Sequence, residues 1–295
     1  MAKKYMYRLF GLNILSEIKF DGVDEYKFEE LDVVINQKEK LEDDKTELGI
    51  KIYENKIIYK KRTYTTIITD GNKIDVFGYI DTDEDWLRHI VLESWILQLW
   101  LQRGAVVFHG SVVNINGKAV IFMGDGGAGK STISYYFTRN GHKKLSDDLC
   151  IIIKKNNIFY TVPSSIKQNF THNTLDIFQM EKEKMRKMGE EEKYTSMIQM
   201  YENEIIPIRE LFFIEKGSVE SIKINKIKGF SKMSFLLKNL QQLENIKKIE
   251  KEKGLHMKII SDLVKNIEMY SLIRAEDKMT LEEIYFRIMK IQEEE

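Results

Sequence analysis

The sequence predicts an α/β protein. A mixed-sheet core with helices carries a phosphate loop, a small β-rich N-terminal domain precedes it, and a helical C-terminal region follows. Three observations carry this reading. A strand, a glycine-rich loop, a helix and a further strand follow one another between 118 and 148, the order of an α/β core. Residues 1–80 mix β-branched and aromatic residues with charges, as half-buried strands do. Helical spacing of apolar residues returns at 83–103 and from 230 onward.

Along residues 1–80, the segments YMYRLFGLNI, DVVINQ, KIYENKIIYKKR, TYTTIIT and KIDVFGYI read as strands. DG at 21–22 and DGNK at 70–73 read as turns. The charged stretch 37–48 is a connector. Asp83–Arg103 reads as a helix with Trp86, Leu87, Ile90, Val91, Trp95, Leu97 and Leu101 along it. AVVFHGSVVNI and KAVIFM read as two strands joined at Asn116-Gly117. A helix from Ser131 to about Arg139 and a strand near KKLSDD follow, then the strands LCIIIKK and NIFYTV. Residues 176–203, charged and rich in methionine, fit two helices or a mobile insertion. LFFIEKG and SVESIKINKI read as a hairpin turning at Lys216-Gly217. From Phe230 to Leu272 the pattern is read as helical, and a last helix starts after Thr280, with Glu283 at capping-box spacing. The expected divisions are 1–80, 81–240 and 241–295.

Composition narrows the function classes. The 295 residues hold 46 Lys+Arg and 46 Asp+Glu, a formal net charge of zero, so no overall positive field points to a nucleic-acid or membrane partner. The one cysteine, Cys150, excludes an intrachain disulfide and a multi-cysteine zinc site. Asn13, Ser16 and Glu17 interrupt the opening apolar run, and no stretch reaches the roughly 18 uninterrupted apolar residues of a membrane span. A soluble cytoplasmic protein is expected.

The chemistry is concentrated in Gly124-Asp125-Gly126-Gly127-Ala128-Gly129-Lys130-Ser131-Thr132. This is G-x-x-x-x-G-K-[ST], placed after a strand and before a helix. Glycines let backbone N–H groups turn inward around phosphate oxygens, and the helix start adds its positive dipole end. Lys130 reaches the β/γ-phosphates and the Ser131 hydroxyl can ligate Mg2+. Asp147-Asp148 ends the next strand, where one acid can serve the metal and the other take a proton from an attacking hydroxyl. His109, in Phe108-His109-Gly110-Ser111, can approach the phosphates or orient a carboxylate.

Together these stretches, FHGSVVNINGKAVIFMGDGGAGKSTISYYFTRNGHKKLSDDLCII at 108–152, resemble the HPr kinase/phosphorylase family. Its fold core is shared with ATP-dependent phosphoenolpyruvate carboxykinases. The matching steps are His109-Gly110, Gly124 to Ser131, Gly141-His142 and Asp147-Asp148. The resemblance implies an ATP cradle at Gly124–Thr132, Lys130 on the phosphates, and Ser131 with Asp147 on Mg2+. It also implies Asp148 as the base that activates a serine hydroxyl, with His109 supporting the phosphate side. Thr132 stands where that family commonly has Glu, and its E-[IV]-R-G-type segment is absent. The chain therefore looks like a divergent branch, some of whose members phosphorylate a serine of a ribosomally made precursor peptide. Outside the match, Lys193 and Arg209 are candidate cations for the transferring phosphoryl group.

The expected function is ATP-dependent transfer to a serine or threonine hydroxyl of a peptide or small protein, with residues 1–80 recognising the acceptor. A small-molecule alcohol as acceptor, or a nucleotide-binding switch without transfer, are the alternatives. Oligomeric state, a homo-oligomer included, is left open.

Overall fold

Alternation of inward and outward residues builds the first strands. In β2 (Leu12–Ser16), Leu12, Ile14 and Ser16 are buried and the two residues between them are not, the period-two pattern of a one-sided sheet. The computed structural model describes residues 3–20, 23–39, 48–61, 64–78, 85–164, 167–182, 185–188, 193–198, 201–241, 243–249, 254–276 and 280–293. With β2, strands β1 (Tyr5–Leu9), β3 (Val33–Lys38), β4 (Gly49–Ile52), β5 (Lys56–Lys60), β6 (Tyr64–Thr69) and β7 (Lys73–Gly78) form one sheet in the order β1-β2-β3-β7-β6-β5-β4. Helix α1 (Asp85–Gln102) follows, its second half buried at Trp95, Ile96, Leu99 and Trp100. The connector at 37–48 falls largely outside the described residues.

The rest of the chain opens with the hairpin β8 (Val106–Ile115) and β9 (Lys118–Gly124), antiparallel across Asn116-Gly117. Helix α2 (Lys130–Arg139), β10 (Lys143–Ser146), β11 (Leu149–Lys155) and β12 (Ile158–Val162) come next. Then follow β13 (Lys167–Thr171), α3 (His172–Phe178), β14 (Arg186–Met188) and β15 (Lys193–Met197). The last elements are β16 (Ile206–Gly217), β17 (Lys223–Lys226), α4 (Ser231–Asn239), α5 (Leu243–Ile249), α6 (Leu255–Asn266), β18 (Glu268–Ala275) and α7 (Leu281–Glu293). An eight-stranded sheet runs β10-β8-β11-β12-β16-β18-β17, with β9 paired to both β8 and β16. Val120, Phe122, Phe212, Ile214 and Leu272 of this sheet pack with Ile133 and Phe137 of α2 and Ile284 and Ile288 of α7.

Contacts divide the chain into two compact units, Met1–Val106 with Gln242–Lys258 and Val107–Gln241 with Ile259–Glu295. These limits differ from the expected divisions at 80 and 240. Helix α1 goes with the first unit, and the C-terminal stretch supplies both units.

Three local expectations are corrected. β16 and β17 are not a hairpin, because β18 lies between them, parallel to β16 and antiparallel to β17. Residues 268–275 are that strand rather than helix; short apolar runs satisfy either period, and neighbouring strands decide. The described residues of 176–203 hold the end of α3 and the strands β14 and β15, which form a three-stranded sheet with β13 rather than two helices.

Candidate functional site

The phosphate loop is placed by a central strand. β9 runs parallel to β16 from Ala119 to Gly124, so the loop leaves the carboxyl end of a strand held on both sides. Gly124 has φ 141°, and a Cβ there would lie 2.3 Å from the Ile214 carbonyl oxygen. No side chain fits that approach. Its N–H donates to the Asn239 side-chain oxygen on α4 at 3.1 Å. Gly129, with φ 109°, is the N-cap of α2, a backbone region that L side chains rarely adopt. The first intrahelical bond runs from Ile133 N to the Gly129 carbonyl at 2.8 Å. The N–H groups of Lys130, Ser131 and Thr132, in the first turn of α2, are therefore available to an anion.

Lys130 is 5% exposed. Its ammonium donates to the carbonyls of Gly124 at 2.9 Å and Asp125 at 3.0 Å, folded back across the loop. Burial lowers its pKa, against the opposing pull of Asp148, Asp147 and Asp125.

A cavity of about 300 Å³ opens over the loop, and its wall includes Gly126, Lys130, Ser131, Thr132, His109 and Asp148. His109 is half-buried on β8. Burial, then the Lys130 charge, lowers its pKa against the opposing carboxylates of Asp148 and Asp147 and the Asp148 backbone. The imidazole is thus neutral at pH 7. Thr132 Oγ1 lies 3.0 Å from Thr174 Oγ1, which lies 3.0 Å from Thr171 Oγ1 at the N-cap of α3.

The two acids face different surroundings. Asp148 lines the cavity, and its Oδ2 accepts from the Asn169 side-chain amide at 2.9 Å. Asp147 is 4% exposed and is not part of that wall. Its Oδ1 accepts from the Ser111 hydroxyl at 2.7 Å and pairs with Lys144 at 3.2 Å, while its Oδ2 accepts from Asn169 N at 3.1 Å. The metal role expected of Asp147 does not suit these surroundings, because both oxygens are engaged away from the loop.

The candidate cation Arg209 falls elsewhere. Arg209 donates to the Gln292 carbonyl at 2.6 Å, tying β16 to α7. The Lys193 side chain lies outside the described residues. Among the described residues, Lys216 and Arg274, at the ends of β16 and β18, line the cavity with Lys130, and Lys238 pairs with Asp125 of the loop at 2.8 Å. Arg274 Nε donates to the Ala128 carbonyl at 2.8 Å, and its guanidinium lies over Gly129, 3.2 Å from where a Cβ would be. Burial lowers its pKa against Glu276. No sequence signal marked Arg274, which lies between the two stretches read as helix. Cys150 is a buried filler whose thiol burial pushes up to about 12.

A second cavity, about 250 Å³, shares Gly129, Thr132, Asn173, Lys216 and Arg274 with the first and continues to Ile133, Ile177, Glu276, Thr280 and Leu281. Every residue of both walls belongs to the second compact unit.

Residues fit for Mg2+ are present. The Ser131 hydroxyl and the Asp148 carboxylate share the cavity, and Asp148 Oδ1 stays clear of the Asn169 bond. No group of three His, Cys, Asp or Glu side chains gathers among the described residues. That suits an ion bound through one or two protein oxygens plus substrate phosphates.

The description of the SynChlorMet cassette protein ScmC family matches residues 75–282, more than half of the chain. The chain belongs to this family. It is also 27% identical over 114 residues to an HPr kinase/phosphorylase of Mycoplasmopsis pulmonis (strain UAB CTIP), across 38% of this chain and 35% of the relative. The chain thus spans about a third of the length of the curated relative it matches. The HPr(Ser) kinase/phosphatase structure from Coxiella burnetii aligns with a TM-score of 0.35 at 11% identity, covering 64% of this chain and 99% of that one. The resemblance to HPr kinases read from residues 108–152 is borne out by that curated relative. No helix among the described residues is long and apolar enough to cross a membrane.

Proposed function

We propose that the protein is a cytoplasmic ATP-dependent kinase that transfers the γ-phosphoryl group to a serine or threonine hydroxyl of a peptide or small protein. One observation carries this reading: a single cavity joins the phosphate loop, Lys130 and Ser131 to a carboxylate, Asp148, and to His109. A nucleotide-holding switch also keeps a carboxylate on its Mg2+, so transfer of the phosphoryl group to an acceptor is what separates the two readings. The family's description as a cassette protein fits an acceptor encoded beside it.

The shared wall orients the nucleotide. The phosphates lie along the loop with the γ end toward Asp148 and His109, and the nucleoside extends past Gly129 and Thr132 into the second cavity. There Ile133, Ile177 and Leu281 offer an apolar face, and Arg274 stands between the two ends. Lys130 leaves the loop carbonyls for phosphate oxygens, and the N–H groups opening α2 share the negative charge. Asp148 accepts the proton of the attacking hydroxyl, which approaches from the side of β13, and Asn169 fixes the carboxylate plane. Mg2+, held by Ser131 and Asp148, would neutralise charge on the phosphates. Unit Met1–Val106 with Gln242–Lys258 is assigned to acceptor recognition.

The test is transfer of labelled phosphate from ATP to synthetic peptides and to metabolite alcohols. Asp148→Asn is expected to lower kcat by about 10²–10⁴-fold, the usual worth of a general base, with little change in the affinity for metal-free ATP. Undiminished transfer would remove Asp148 as base, and transfer to small alcohols alone would replace the peptide by a metabolite.

A further inference from the structure

The backbone at Asp148 is strained, and the residues that hold it are not those that face the cavity. Asp148 has φ 68°. Leu149 N donates to the Asp147 carbonyl at 2.9 Å, closing a three-residue turn around Asp148. A γ-turn with positive φ at a non-glycine residue is rare, and such strain persists only where the surroundings over-determine it.

Those surroundings centre on Asp147. Between Lys144 and Ser146 the pairing of β10 with β8 shifts by one residue. Residues three apart in a regular strand face opposite sides, and the bulge instead brings Lys144 and Asp147 together. Both side chains are at most 1% exposed, with Nζ 3.2 Å from Oδ1. Lys144 Nζ also donates to Gln168 Oε1 at 3.4 Å. With Ser111 and Asn169 N, Asp147 thereby ties β10 to β8 and β13. On the far side of the turn, Gly110 N donates to the Asp148 carbonyl at 3.2 Å, and the Ser164 hydroxyl donates to the Leu149 carbonyl.

We propose that Lys144 and Asp147 form a buried, self-neutralising clamp that holds the strained turn presenting Asp148, so that Asp148 is the one carboxylate of the pair serving metal and hydroxyl. The clamp rests on the kinase reading above. Lys144 and Asp147 are positioning residues. Lys144 cancels a carboxylate charge that water does not reach, and Asp147 spends its oxygens on three strands. The strain is relieved if either is lost: Asp148 still reaches the metal, but its carboxylate leaves the plane in which Asn169 aims it at the hydroxyl.

The experiment uses the full chain with Mn2+ as a spin probe and a non-hydrolysable ATP analogue, beside steady-state kinetics with ATP and the unphosphorylated peptide or alcohol that the transfer screen identifies as acceptor. Lys144→Met and Asp147→Asn are expected to lower kcat by about 10–100-fold, the usual effect of an outer-shell partner. Their ATP KM and Mn2+ affinity should stay within about threefold of the parent, whereas Asp148→Asn weakens Mn2+ by about tenfold or more. Equal weakening of Mn2+ by Asp147→Asn and Asp148→Asn would make Asp147 a ligand and overturn the clamp; so would an unchanged kcat in Lys144→Met. Should both clamp variants fail to fold, Ser111→Ala carries the test. A fall in kcat at constant Mn2+ affinity supports the clamp, and an unchanged kcat overturns it. A parent protein that binds no Mn2+–nucleotide would instead refute the kinase reading itself.

Discussion

Replacing Ile177 by tryptophan puts an indole into the cavity assigned to the nucleoside. The cavity is about 250 Å³ and its apolar face is Ile133, Ile177 and Leu281. A purine lying on that face covers roughly 100 Å² of apolar surface, about 2.5 kcal/mol at 25 cal/mol per Å². Losing that contact corresponds to about 70-fold in Kd. The phosphate contacts lie in the neighbouring cavity and are left alone. Equilibrium titration with ATP and with inorganic tripolyphosphate separates the two parts. ATP is expected to weaken by about one to two orders of magnitude, while tripolyphosphate stays within about twofold of its parent value. If the two ligands weaken together, the indole has disturbed the phosphate loop. If ATP affinity does not move, the nucleoside does not occupy this cavity. Either result refutes the orientation assigned to the nucleotide.

Two further predictions concern the scaffold. His109 has a folded pKa below its usual value of about 6.5, so the unfolded chain binds more protons in that window. Its share of stability is full above pH 6.5 and is lost as pH falls through the folded pKa. Denaturation midpoints between about pH 5 and 8 should therefore fall less steeply in His109→Asn than in the parent. The remaining slope would include His142, whose burial also lowers its pKa; equal slopes would refute the assignment. Gly124→Ala places a Cβ 2.3 Å from the Ile214 carbonyl oxygen at φ 141°, in a strand fixed on both edges. The expected loss is about 2–5 kcal/mol in urea unfolding, and a loss below about 1 kcal/mol would refute the close approach.

The phosphate loop was legible because its whole mechanism sits in nine consecutive residues with a strand before and a helix after. The Asp pair was legible for the same reason, as the end of the next strand. Which acid faces the loop was not. That depends on one extra residue at Leu145 and on a positive φ at Asp148, and neither has a composition signal. Arg274 was missed because its contact with Ala128 spans 146 positions and exists only once β18 pairs in parallel with β16. EMYSLIRA fits either period, and its strand partners, not its own side chains, decided the outcome. Arg209 was read as a candidate cation from its charge alone, and its bond to a carbonyl of the last helix spans 83 positions that no local pattern joins.

The segment Gln242–Lys258 gives the first compact unit a late component. α5 contacts α1 and β4 of that unit, yet it is made after the entire stretch Val107–Gln241. The two borders adjoin, since Gln241 N donates to the Val107 carbonyl at 2.8 Å. During synthesis the unit that emerges first must wait for about half the chain before it is complete. A fragment ending at Val106 would lack α5, so excising the unit calls for rejoining Gln242–Lys258 to it across a short linker.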